Sequence, residues 1–221
     1  NEPVQRVIHN INWITIIIFS SILCIVIAKN LFYNRFLNFM ILPFNNKYIF
    51  MYNKKDKLIN WFNIFFTLFQ LLNFSLFIYY ASNILSNSNS DLYFLVFSII
   101  LGFLVLFLFG KILLQLGSGF IFNNNKIISE FIFKKLSYLN FSSIIMLAAN
   151  IVLTYVFKDS KIVVFVSIFL VVVVNIIGWI TIIKNYQKII SGYFFYFILY
   201  LCALEIAPFV IIANYLKDQG I

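Results

Sequence analysis

The stretch Ile162 to Ile183 reads IVVFVSIFLVVVVNIIGWITII. It carries no charge, and Lys161 and Lys184 close it on either side. A helix of about 20 residues, rising 1.5 Å per residue, crosses the roughly 30 Å of hydrocarbon in a bilayer. A helix at a soluble surface would show a polar face, and this one is apolar all the way round. The stretch therefore reads as a membrane span.

Five other apolar runs are long enough to span: Ile11 to Ala28, Trp61 to Leu85, Leu92 to about Gln115 with Lys111 near its end, Ser137 to Phe157 and Tyr193 to Leu216. The alternating segments of about ten residues that build an outer-membrane barrel are absent. Helices satisfy their own backbone polar groups, so an all-α bundle of six transmembrane helices is expected. Loops this short make residues 1–221 a single transmembrane domain. Composition agrees. The chain is 63% hydrophobic and 10% charged, against about 45–50% apolar and 25% charged in soluble domains. A water-soluble globule and a disordered chain are both excluded.

The first run resembles a signal peptide, with Arg6 ahead of it and Val26-Ile27-Ala28 at its end. It is longer than the usual apolar region of about 7–15 residues. The chain after Ala28 is also basic, so a true span is expected. The net charge of +9 comes from 16 Lys and Arg against 7 Asp and Glu. In a membrane protein this points to loops meeting anionic lipid rather than to nucleic acid. The loops after spans one, three and five hold twelve Lys and Arg, and the other side holds four: Arg6, Lys158, Lys161 and Lys217. The positive-inside rule then puts the first set in the cytoplasm and both termini outside.

Two cytoplasmic segments look like more than connectors. Lys126 to Leu136 spaces Ile127, Ile128, Phe131 and Ile132 helically, with Lys126, Glu130, Lys134 and Lys135 as a polar side. A short interfacial helix is expected there, with Asn125 as its cap. Leu31 to Tyr52 alternates aromatics with Arg35 and Lys47 around Pro43, and reads as interfacial or docked on a partner. Gly117-Ser118-Gly119 is expected to break span three, and Asn87 to Asp91 to form a turn. No internal repeat of the transporter kind is evident.

The sequence holds no GxGxxG, GxxxxGK[ST], HExxH or CxxC pattern. Cys24 and Cys202 lie in apolar runs and read as packing residues. His9 is the only histidine and lies outside the spans. No metal or cofactor is expected. Glu205 is the outlier, since it falls near the middle of span six. A carboxylate at that depth should be protonated or paired and face the bundle interior. Pro208 lacks an N–H, so the Leu204 carbonyl loses its partner and a kink is expected. Asn73, Asn150 and Asn175 lie near the centres of spans two, four and five, with Gln70 one turn from Asn73. If those faces converge, Glu205 has amide partners. Lys111, near the end of span three, is expected to snorkel to the interface. The abundance of Phe and Tyr fits lipid-facing filler and interfacial belts. Phe, Ile, Asn, Lys and Tyr are also favoured by AT-rich codon usage.

Asn12-Trp13-Ile14-Thr15, the stretch from Lys111 through Gly119-Phe120, and Phe195 through Pro208 resemble one family. These are the Bacteroidota membrane proteins grouped as domain of unknown function 4271. The stretch from Phe195 to Pro208 is the most specific of the three. The resemblance implies a multi-pass inner-membrane protein of a diderm bacterium, and no established activity. Three functions compete. The first is a non-catalytic accessory subunit of an envelope or secretion complex, with other inner-membrane proteins and the bilayer as partners. The second is a small proton-coupled transporter using Glu205. The third, an intramembrane lipid enzyme, is weakest because only one ionisable group sits at mid-depth.

Overall fold

The computed structural model describes residues 12–52, 60–86, 93–121, 125–158 and 160–192. Among them all regular structure is helical: α1 (Asn12–Leu31), α2 (Tyr33–Met40), α3 (Lys47–Tyr52), α4 (Trp61–Ser86), α5 (Tyr93–Ile121), α6 (Asn125–Ile151), a π-helical segment (Val152–Val156) and α7 (Lys161–Gly192). Five helices are long and apolar enough to cross a membrane: Asn12–Leu31, Trp61–Ile84, Phe94–Leu114, Ser129–Val156 and Lys161–Lys184. The sixth apolar run, 193–216, with Glu205 and Pro208, lies outside the described residues, as does the expected turn at 87–91.

Local propensity alone would not make α7 a helix. Val171 to Val174 and the surrounding isoleucines favour strands in water. In hydrocarbon an unpaired backbone group costs several kcal/mol, and only the helix pairs all of them within one segment. Asn60 Oδ1 accepts the Phe62 N–H at 3.3 Å and opens α4. Ser160 Oγ does the same for Val163 at the start of α7.

The central pair is α4 against α6, with α1 packed on α4, α7 on α6, and α5 resting on both. Phe66, Phe69, Tyr138 and Val174 belong to one buried cluster, and Phe77, Met146, Leu153 and Val164 to another. Trp13 of α1 meets Tyr79 and Phe97 edge-on and tilted, joining α1, α4 and α5. Helices α6 and α7 pack tightly at Gly178, where an added Cβ would lie 2.7 Å from Tyr138 Cγ. Small residues permit such approaches in membranes. Among the described residues, Phe94–Leu114 of α5 is the least buried of the five long apolar stretches.

Three local expectations change. The expected interfacial helix at Lys126 to Leu136 is instead the first part of α6, which runs unbroken from Asn125 to Ile151. No Gly or Pro interrupts it, and Ser137 Oγ bonds back to the Phe133 carbonyl at 2.7 Å within the helix. Gly117-Ser118-Gly119 does not break α5, which continues to Ile121; glycine weakens a helix by only about 1 kcal/mol. The stretch from Leu31 to Tyr52 folds into α2 and α3 and docks on its own bundle. Phe39 packs against Phe66 with ring centroids 4.5 Å apart, and Tyr48 stacks on Phe133 at 5.9 Å. The opposite side stays apolar and exposed at Leu37, Met40, Ile41, Phe44 and Phe50.

Consecutive spans run antiparallel. One end of the bundle therefore gathers Lys29, Arg35, Lys47, Lys111, Lys134, Lys135 and Lys184, and the other has Lys158 and Lys161.

Candidate functional site

The polar side chains of α4 and α6 meet along one seam. Asn150 Nδ2 donates to the Asn73 carbonyl at 2.9 Å and to Asn73 Oδ1 at 3.4 Å. Asn73 Nδ2 donates to the Phe69 carbonyl at 2.9 Å. One turn above, Thr154 Oγ1 donates to the Asn150 carbonyl at 2.6 Å. Its single proton is thereby committed, so the Tyr80 hydroxyl, 2.6 Å away, is the donor in the Tyr80–Thr154 bond. Asn73, Asn150 and Thr154 are buried. The faces of Asn73 and Asn150 thus converge on one another, while Glu205, the partner expected for both, lies outside the described residues.

The seam ends in the π-helical segment. Phe157 N bonds to the Val152 carbonyl at 2.8 Å, five residues back. This wide turn sends two adjacent side chains to different helices. Thr154 goes to Tyr80 on α4, and the Tyr155 hydroxyl meets Thr15 Oγ1 on α1 at 2.8 Å. Single π turns inside α-helices are rare and frequently mark functional positions.

Gln70 lies one turn from Asn73 and is buried. Its Oε1, the Oδ1 of Asn150 and the Oδ1 of Asn140 accept no hydrogen bond from the described residues. A buried unsatisfied oxygen costs about 1–3 kcal/mol. A membrane hydrogen bond between side chains returns about 0.6 kcal/mol on average. These amides are therefore poor choices for stability alone. They present acceptors to any donor that enters the seam.

Asn175 does not join them. It sits on α7 and donates to Ser142 Oγ of α6 at 2.9 Å and to the Val171 carbonyl at 2.8 Å. Ser142 precedes Asn150 by eight residues, roughly 12 Å along the helix. The depth of Asn175 in the sequence was readable, but its rotation about the α7 axis was not. Glu205 and Pro208 lie outside the described residues. The Lys111 ammonium lies 5.8 Å from the Phe107 ring of its own helix.

A second constellation, unread in the sequence, surrounds Arg35. This arginine is buried, and its guanidinium stands 4.8 Å from the rings of both Tyr52 and Phe62 and 5.7 Å from Tyr48. It also donates to Asn63 Oδ1 at 3.2 Å and to the Tyr48 hydroxyl at 3.4 Å. Desolvated cation–π contacts are worth about 2 kcal/mol. Tyr138 adds a hydroxyl donated to Asn46 Oδ1 at 2.9 Å. Together these contacts bind α2 and α3 rigidly to α4 and α6. The alternation of aromatics with Arg35 is visible in the sequence, but it reads as interfacial or docked on a partner rather than on α4 and α6.

Among the described residues no group of three or more His, Cys, Asp or Glu could hold a metal ion. No curated protein and no solved structure matches the chain. A family model described as domain of unknown function, DUF4271, matches residues 14–216. That match takes in most of the 221 residues, so the chain belongs to the DUF4271 family.

Proposed function

We propose that this protein is a non-catalytic subunit of a larger inner-membrane complex of a Bacteroidota cell, one serving secretion or envelope assembly. In this reading the bundle has six transmembrane helices, with its basic end in the cytoplasm and both termini in the periplasm. The observation that carries it is the α2–α3 shelf. Arg35 and its rings hold the shelf rigidly, yet its outer side offers Leu37, Met40, Phe44 and Phe50. A pre-ordered surface with aromatic anchors loses little entropy on docking. The test is affinity capture of the tagged full chain from native membranes in mild detergent, with mass spectrometry. Stoichiometric partners are expected, and Phe44→Ser with Phe50→Ser should release them while membrane levels hold. Recovery of a solitary monomer overturns this reading.

The acceptor oxygens of Gln70 and Asn150 favour one alternative, a small proton-coupled transporter. A protonated Glu205 is the kind of donor they would accept. Glu205→Gln should then abolish function with expression intact, and full function of that variant would exclude it.

A further inference from the structure

Helix α2 turns its one cation inward. Arg35 is buried against the rings of Tyr52 and Phe62, and Phe39 and Leu42 belong to the bundle core. What the shelf leaves outside is apolar. Phe44 is 92% exposed and Phe50 68%, with Leu37, Met40 and Met51 exposed as well. A helix that lies on a lipid surface is built the other way round: its apolar side enters the acyl chains and its Lys and Arg face the headgroups. An apolar centre depleted of charge is instead the anatomy of a protein–protein interface.

Charge returns at the rim. Lys29, near the end of α1, and Lys47, the first residue of α3, are both exposed. Every charged residue from Lys29 to Tyr52 is basic, and the sequence just beyond adds Lys54, Lys55 and Lys57 against Asp56 alone. A rim of one sign attracts an acidic partner and rejects a basic one. The shelf is helical and offers no strand edge, so a docking segment must satisfy its own backbone, as a helix does.

We propose that the segment bound by this shelf is an acidic amphipathic helix. Its apolar stripe covers Phe44 and Phe50, and its Asp and Glu flanks meet Lys29 and Lys47. The proposal rests on the subunit reading above and names the chemistry of the partner that the shelf takes.

The test uses the purified full chain in phosphatidylcholine nanodiscs. The probe is a fluorescent helical peptide of about 18 residues, with Leu and Phe along one side and Glu on the flanks, long enough to hold its helix. Its twin carries Lys for every Glu. By anisotropy the acidic peptide should bind about tenfold tighter than the twin at low salt. Lys29→Gln with Lys47→Gln should abolish that preference, and Phe44→Ser with Phe50→Ser should weaken both peptides. Lys158→Gln with Lys161→Gln, at the opposite end, should change nothing. The altered shelf residues are exposed, so these variants leave the core intact. Equal binding of the twins, or a preference that survives the loss of Lys29 and Lys47, overturns the proposal. So does quenching by brominated lipid of a fluorophore on Phe44→Cys, with Cys24 and Cys202 replaced, because the leaflet would then cover this face. Stoichiometric partners on affinity capture, with no preference between the peptides, would keep the subunit reading and remove this proposal. A solitary monomer with the preference intact would do the reverse.

Discussion

Gly178 shows how much one missing methyl group controls. Alanine is the better helix former by about 0.5–1 kcal/mol. At position 178, however, its Cβ would press on Tyr138 Cγ at 2.7 Å and Cδ2 at 2.8 Å. Overpacking of this kind costs about 1–3 kcal/mol. Tyr138 is buried and its hydroxyl is held by Asn46, so the ring has little freedom to retreat. Gly178→Ala should lower unfolding stability in detergent by about 1–2 kcal/mol, the clash outweighing the propensity. Gly102→Ala, with nothing within 4 Å, should be neutral or mildly stabilising. Equal effects at the two positions would contradict this account. Asn73 and Asn150 were legible as polar groups at mid-span, though not as partners of one another. The role of Gly178 was not legible, because a glycine in an apolar run reads the same whether it faces lipid or a ring.

At the scale of elements, the π-helical segment is the least ordinary part of the bundle. Thr154 and Tyr155 are neighbours in sequence, yet each ties a different helix. Thr154→Val removes a buried hydroxyl that both accepts from Tyr80 and donates to the Asn150 carbonyl. Tyr155→Phe removes only an exposed bond to Thr15. The expected losses are about 1–3 kcal/mol for Thr154→Val and about 0.6 kcal/mol for Tyr155→Phe, read from unfolding in detergent. A reversed order would show that the segment is not held through Thr154. The five described spans were legible because hydropathy depends on composition. The continuity of α6 and the docking of α2 and α3 were not. An amphipathic segment looks alike whether its apolar side meets lipid or, as with Phe39 and Tyr48, the protein's own core.

For the whole molecule, the distribution of charge predicts an orientation. Lys47 and Lys161 are exposed at opposite ends. In a background with Cys24 and Cys202 replaced, Lys161→Cys should react with an impermeant maleimide once the outer membrane alone is opened. Lys47→Cys should react only when the inner membrane is opened as well. The opposite pattern would invert the proposed topology. The central seam also has a consequence in time. The bond from Asn150 to Asn73 joins residues 77 positions apart. A ribosome adding about 5–20 residues per second needs roughly 4–15 s to cover that interval. Throughout it, α4 waits in the membrane with Asn73, and Gln70 one turn away, before the helix that carries Asn150 is made. The half-made chain therefore presents the polar face that insertion factors shelter and membrane proteases attack, so any pause in translation before α6 emerges lengthens its most vulnerable state.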